Sequence, residues 1–162
     1  MLLYFAMERP RVYLAGSMAA GRDFEDVLRQ VSASLESLGC EIMTKQNVVE
    51  NEKILGSPKA KQDRQAIMTR DKRWIQECDL FIAEVSQYSH GVGYEHCWAE
   101  VNGKPVLLLR HSSLKDQSYS AFLDGTDHEE FDFTFYDEFI IPVFIEKILI
   151  ELANKTVKMR YK

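Results

Sequence analysis

The sequence predicts an α/β fold: a parallel sheet with helices on both of its faces. Two observations carry this. Short aliphatic runs alternate along the chain with stretches of helical periodicity, the pattern of strands joined by crossover helices. Two of the runs, Leu80-Phe81-Ile82-Ala83 and Val106-Leu107-Leu108-Leu109, are apolar at every position, as suits strands covered on both faces.

The elements follow in order. Val12-Tyr13-Leu14-Ala15 is the first strand. Apolar residues then fall at Phe24, Val27, Leu28, Val31, Leu35 and Leu38, a stripe of 3.6-residue period that Gly39 stops. Glu41-Ile42-Met43 is a weaker strand. The polar stretch Lys45–Lys61, with Gly56-Ser57-Pro58 inside it, reads as a loop or lid. A second helix runs from about Gln62 to Glu77, before the strand at 80–83. A third begins near Gly93 and ends before Gly103-Lys104-Pro105. After the strand at 106–109, Phe131–Phe135 is a weaker fifth strand. A last helix spans about Asp137 to Ala153, with Pro142 in its first turns. The order β-α-β-α-β-α-β-(α)-β-α implies a three-layer sandwich of flavodoxin or Rossmann type around a five-stranded parallel sheet. Residues 9–162 fit one catalytic domain, and residues 1–8 read as an N-terminal extension of undetermined structure.

Composition narrows the function. The net charge is −5 and no Lys/Arg cluster outweighs the acids, which argues against a nucleic-acid polymer as partner. A nucleotide-sized anion needs only a few donors and stays open. No apolar run approaches the roughly 18 residues of a membrane span. Cys40, Cys78 and Cys97 are odd in number, widely spaced and form no CxxC pair, so a reducing compartment, the cytoplasm, is expected. His90, His96, His111 and His128 make no HExxH or His-x-His pattern, so neither a metal nor another cofactor is expected. There is no Gly-x-Ser-x-Gly elbow of a serine hydrolase.

In a parallel α/β sheet, ligands bind beyond the carboxyl ends of the strands. Three segments lie there: Gly16–Arg22, Glu84–Gly93 and Arg110–Gly125. Gly16 and Ser17 are small enough for backbone N–H groups to approach an anion or a sugar, and Arg22 adds a positive charge. A plain strand-to-helix turn would look similar. Glu95 follows Gly91 and Gly93 in the expected first turn of the third helix, where the helix dipole would hold it ionised, as a nucleophile requires. Alone, such a residue is more often a cap. Asp71 sits on the apolar stripe of the second helix, four after Ile67 and three before Trp74. Burial there would raise its pKa and suit it to general-acid work, unless Arg70, Lys72 or Arg73 pairs with it. Two carboxyl groups with separated roles are the usual equipment for breaking a glycosidic bond. Tyr13 can point its hydroxyl at Glu95, or be a core tyrosine.

Tyr13-Leu14-Ala15-Gly16-Ser17, Asp71 through Asp79, Ala83-Glu84-Val85-Ser86 and Gly91-Val92-Gly93-Tyr94-Glu95 together resemble the nucleoside 2-deoxyribosyltransferase family, including its 2'-deoxynucleoside 5'-phosphate N-hydrolase branch. The resemblance runs from about Arg9 to Leu152. It implies that Glu95 attacks C1' of the deoxyribose to form a covalent ester, that Asp71 protonates the leaving base, and that Tyr13 orients Glu95. The sugar then passes to a second nucleobase or to water. It also implies a small deoxynucleoside or deoxynucleotide as substrate. Ser89, six residues before Glu95, replaces an Asp that holds the 5'-hydroxyl in bacterial transferases, and a serine can donate to a 5'-phosphate instead. Arg22, the Gly91 backbone and His90 would complete that anion site. Ser120 matches a serine that reaches the phosphate of a neighbouring subunit, which implies a homodimer or larger assembly. The chain departs from the hydrolase branch at Asp124, where that branch carries a base. The competing reading is a non-enzymatic nucleotide sensor on the same scaffold, since a fold alone hosts many functions. A flavodoxin-like redox carrier ranks last, for want of a suitable aromatic pair and phosphate loop.

Overall fold

In the computed structural model the first strand, β1 (Arg11–Ala15), pairs in parallel with β2 (Glu41–Ile42) on one side and β3 (Leu80–Glu84) on the other. Next to β3 lies β4 (Val106–His111), and β5 (Thr134–Tyr136) closes that edge, both again parallel. The structure describes residues 9–17, 25–44, 60–114, 116–117, 120–121, 134–136, 143 and 145–151. The strand order β2-β1-β3-β4-β5 reverses direction between β1 and β3. Such a reversal opens a crevice where ligands bind.

Helices α1 (Glu25–Ser37), α2 (Ala60–Glu77) and α3 (His90–Val101) and a helical segment at 145–151 cover the sheet. Which helix covers which face follows from the two-residue period of a strand. Val12, Leu80, Ile82, Leu107 and Leu109 pack with Val27, Val31 and Leu35 of α1 and with Ile145, Ile148 and Leu149. Tyr13, Ala15, Phe81, Ala83, Val106 and Leu108 point the other way, onto Ile75 of α2 and Val92 and Ala99 of α3. Tyr13 and Phe81 are register partners, and their rings stack at 5.5 Å. The sheet therefore has helices on both faces, as its apolar central strands require.

Local signals explain the boundaries. α1 ends where Gly39 takes φ +82°, so that its N–H reaches Glu36 O and the Cys40 N–H reaches Leu35 O. Those two bonds close the helix with a left-handed residue, a conformation that suits glycine. β2 is short, and Thr44 replaces its missing ladder: Oγ1 donates to Leu14 O at 2.8 Å and accepts from Leu14 N at 3.3 Å.

Some expectations move. α2 starts at Ala60, inside the stretch read as loop, while 45–59 lie outside the described residues. The fifth strand pairs over Thr134–Tyr136, and 131–133 lie outside them. Pro142 and the expected start of the last helix at Asp137 also fall outside, as do residues 1–8. Among the described residues, no helix is long and apolar enough to cross a membrane.

Candidate active site

The end of β3 leads into α3 through Ser89, which has extended backbone (φ −142°, ψ 119°) and accepts a hydrogen bond at Oγ from the Val92 N–H. Ser89 is thus the N-cap, and it satisfies one of the unpaired donors of the helix start. This corrects the expected start near Gly93. Gly91 and Gly93 belong to the opening turn of α3, and Glu95 falls in its second turn rather than its first.

Glu95 and Tyr13 meet across the gap between α3 and β1. The Tyr13 hydroxyl donates to Glu95 Oε1 at 2.8 Å. Tyr13 is 2% exposed, fixed by its stack on Phe81. Burial and then the negative charge of Glu95 push its phenol far up, so it stays a protonated donor. Glu95 does not show the lowered pKa expected of a helix start. Burial pushes its carboxyl from 4.5 up to about 7, the Tyr13 hydrogen bond pulls it down, and the charge of Asp71 adds to the rise. The physical reason is position: the dipole effect fades beyond the first turn, and desolvation then dominates.

Asp71 comes from α2. It is 9% exposed and shares the inner face of the helix with Ile75 and Cys78, as its spacing predicts. Of the candidate cations beside it, Arg70 is the partner: its Nε lies 2.9 Å from Asp71 Oδ1. Arg73 turns instead to Glu77 at 3.8 Å. Lys72 places its Nζ 4.2 Å from the centre of the Trp98 ring and 5.2 Å from that of Tyr94.

Asp71 and Glu95 line one cavity of about 360 Å³ between α2 and α3. Ile67, Met68, Ile75 and Trp98 give it apolar walls, and Gly91, Tyr94, Arg64 and Lys72 complete the lining. A largely apolar cavity with two carboxyl groups at its wall suits a heterocycle attached to a sugar. Trp98 and Tyr94 were not singled out from the sequence, and Lys72 only as a possible partner of Asp71. Tyr94 and Trp98 are four apart on α3 beside Glu95, and that spacing was the available signal.

The remaining candidates are less gathered. Gly16 follows β1, and a Cβ there would lie 2.3 Å from Leu28 Cδ1, so the close passage of α1 explains this glycine without a ligand. Ser17 follows it at the carboxyl end of β1. Ser120 is partly buried and is not among the residues lining the cavity. Arg22 and Asp124 lie outside the described residues. Among the described residues, no group of three His, Cys, Asp or Glu side chains is placed to hold a metal.

The fold and the carboxyl pair coincide with a sequence match. Residues 12–134 match the family model of the nucleoside 2-deoxyribosyltransferases, and the chain belongs to that family of enzymes. A Thermofilum pendens protein named, provisionally, 2'-deoxynucleoside 5'-phosphate N-hydrolase 1 is 32% identical over 140 residues, covering 85% of this chain and 92% of its own. The human 5-hydroxymethyl-dUMP N-hydrolase is 29% identical over 140 residues, 86% of this chain and 79% of its own. The structure of a CMP N-glycosidase from Clostridium botulinum superposes with a TM-score of 0.59 over 84% of this chain and 98% of that one. At 22% identity this likeness speaks for the fold alone.

Proposed function

We propose that this protein breaks the N-glycosidic bond of a 2'-deoxyribonucleoside 5'-monophosphate, with Glu95 attacking C1' and water accepting the sugar. The observation that carries the reading is the 2.8 Å Tyr13–Glu95 hydrogen bond at the wall of a cavity that Asp71 also lines. The names of the relatives favour a 5'-phosphate and hydrolysis over transfer.

The reaction requires Glu95 ionised, a state its rise to about 7 leaves accessible at neutral pH, and a proton on Asp71 to give to the base. Glu95 Oε attacks C1', the C1'–N bond breaks, and its electrons leave with the base. Asp71 gives its proton to the base nitrogen. Water then attacks C1', the ester to Glu95 breaks, and Asp71 takes the proton released by the water. The absent 2'-hydroxyl eases the oxocarbenium-like transition state. Tyr13 fixes which Glu95 oxygen is engaged and leaves the other for the sugar.

The 5'-phosphate sits at the start of α3, where free N–H groups and the helix dipole favour an anion. Ser89 and the Gly91 backbone receive it, and the Gly16-Ser17 turn and the charge of Arg22 are the further donors proposed for it. Ser120 of a second copy reaches the same phosphate in a homodimer, and one catalytic domain spanning 9–162 acts in cytoplasmic nucleotide metabolism. Ser89→Asp tests the phosphate site cleanly, because aspartate caps a helix as well as serine does. The variant keeps the fold and adds only repulsion. Its preference should turn from monophosphates to nucleosides, read as a ratio of kcat/KM values, and an unchanged ratio contradicts the phosphate site.

The reaction itself is tested by incubating the protein with deoxynucleosides and their monophosphates, with and without a second free base, and separating the products. Free base and sugar phosphate are expected. A newly formed nucleoside identifies a transferase instead. Tight nucleotide binding with no base release over hours overturns the enzyme reading in favour of a sensor.

A further inference from the structure

Arg70 lies behind the cavity rather than in it: it holds Asp71 and is not part of the cavity lining. Its guanidinium stacks on the ring of Trp74, one helical turn on, at 4.7 Å. The stack fixes the plane from which Nε donates to Asp71 Oδ1 at 2.9 Å. Among the described residues, Arg70 Nη2 is buried with no hydrogen-bond partner. A buried donor left unpaired costs stability and calls for an explanation. Such an arrangement fits an arginine held where Asp71 needs it rather than where its own donors are best satisfied.

We propose that Arg70 is a positioning residue for the glycosidic reaction, which fixes the Asp71 carboxyl so that Oδ2 alone exchanges a proton with the leaving base. The argument concerns donors. An N–H directed at Oδ1 favours that oxygen as the carbonyl of the protonated acid, because a carbonyl oxygen accepts a hydrogen bond better than a hydroxyl oxygen does. The proton of Asp71 is thereby biased to Oδ2, the oxygen that Arg70 does not hold. Without the arginine, the carboxyl can rotate and carry its proton on either oxygen, and the fraction of productive encounters falls. The titratable and charged groups around Asp71 come from three elements: Arg70, its partner, with Lys72 and Arg64 of the same cavity on α2, Glu95 on α3, and the neutral Tyr13 hydroxyl on β1. The charge of Arg70 extends to Tyr13, whose phenol it pulls down. The inference rests on the acid role given to Asp71 above.

The test compares two leaving groups on 2-deoxyribose 5-phosphate: an ordinary nucleobase, which needs a proton to depart, and a nitrophenolate, which does not. The reading is the first-turnover rate of leaving-group release, because in the later attack by water Asp71 acts on both substrates alike. Arg70→Gln should lower that rate for the nucleobase about tenfold to a hundredfold, the scale of a hydrogen bond to a charged group. KM and the first-turnover rate for the nitrophenolate should stay within about twofold. Arg70→Lys reads the same contrast should the glutamine variant fail to fold. An unchanged first-turnover rate on the nucleobase, or an equal loss on both substrates, overturns the proposal. Asp71→Asn, measured alongside, separates the two layers. If Asp71→Asn shows the contrast and the Arg70 variants do not, only the role of Arg70 falls. If Asp71→Asn turns over the nucleobase at the native rate, the acid role of Asp71 falls and the role of Arg70 with it.

Discussion

The two faces of the sheet are built from the same strands and serve different ends. On the α1 face, the packed cluster is aliphatic except for Cys40. On the α2–α3 face, the cluster contains Tyr13, and Asp71 and His96 are buried on the two helices that cover it. Neighbouring residues of β1 divide between them: Val12 joins the first cluster and Tyr13 the second. The first face supplies stability mainly by burying apolar area, although Glu84, in step with Leu80 and Ile82 at the carboxyl end of β3, is buried as well. The second accepts the cost of burying ionisable groups on its covering helices, beside the cavity. That cost is visible as the rise of Glu95 to about 7.

Three substitutions sharpen the contrast, from the largest effect down. Glu95→Gln should lower kcat by at least about a thousandfold, since it removes the nucleophile. It should also stabilise the fold at alkaline pH. The sign follows from linkage: with its folded pKa raised from 4.5 to about 7, Glu95 loses stability for the native state as pH rises through that window. The gain in the variant should be on the order of 1–3 kcal/mol at pH 8 and vanish near pH 4, as read by thermal melting. Leu35→Ala on the other face should do the reverse. Leu35 is fully buried in the aliphatic cluster. Its truncation should cost about 2–5 kcal/mol in denaturant titration while leaving kcat/KM near native below the transition. Tyr13→Phe has the smallest effect at high pH. It removes the bond that favours ionised Glu95, so the acid limb of kcat/KM should move up by about one pH unit. An unmoved limb would separate Tyr13 from the titration of Glu95.

The architecture was legible because its signals are strong and local. The all-apolar strands at 80–83 and 106–109 and the stripe from Val27 to Leu35 needed no tertiary context. The place of Asp71 was legible too, since the helical period sets its face. The start of α3 was not. Gly91 and Gly93 have low helix propensity and read as a turn, yet Ser89 caps the helix before them. The earlier cap places Glu95 in the second turn, where burial outweighs the helix dipole. The pairing of Arg70 with Asp71 was one option among three cations. Adjacent helical residues diverge by about 100°, and only the stack on Trp74 shows which long side chain folds back. The aromatic wall of Tyr94 and Trp98 takes its meaning from α2 opposite, which no local pattern reveals.

The central claim is that Glu95 forms a bond to the sugar. It is tested most directly by quenching the protein during turnover of a deoxynucleoside monophosphate and mapping its mass by peptide. The account predicts a deoxyribosyl 5-phosphate adduct on the peptide carrying Glu95, and none in Glu95→Gln. Native-rate base release by Glu95→Gln, or an adduct on a different residue, would contradict it.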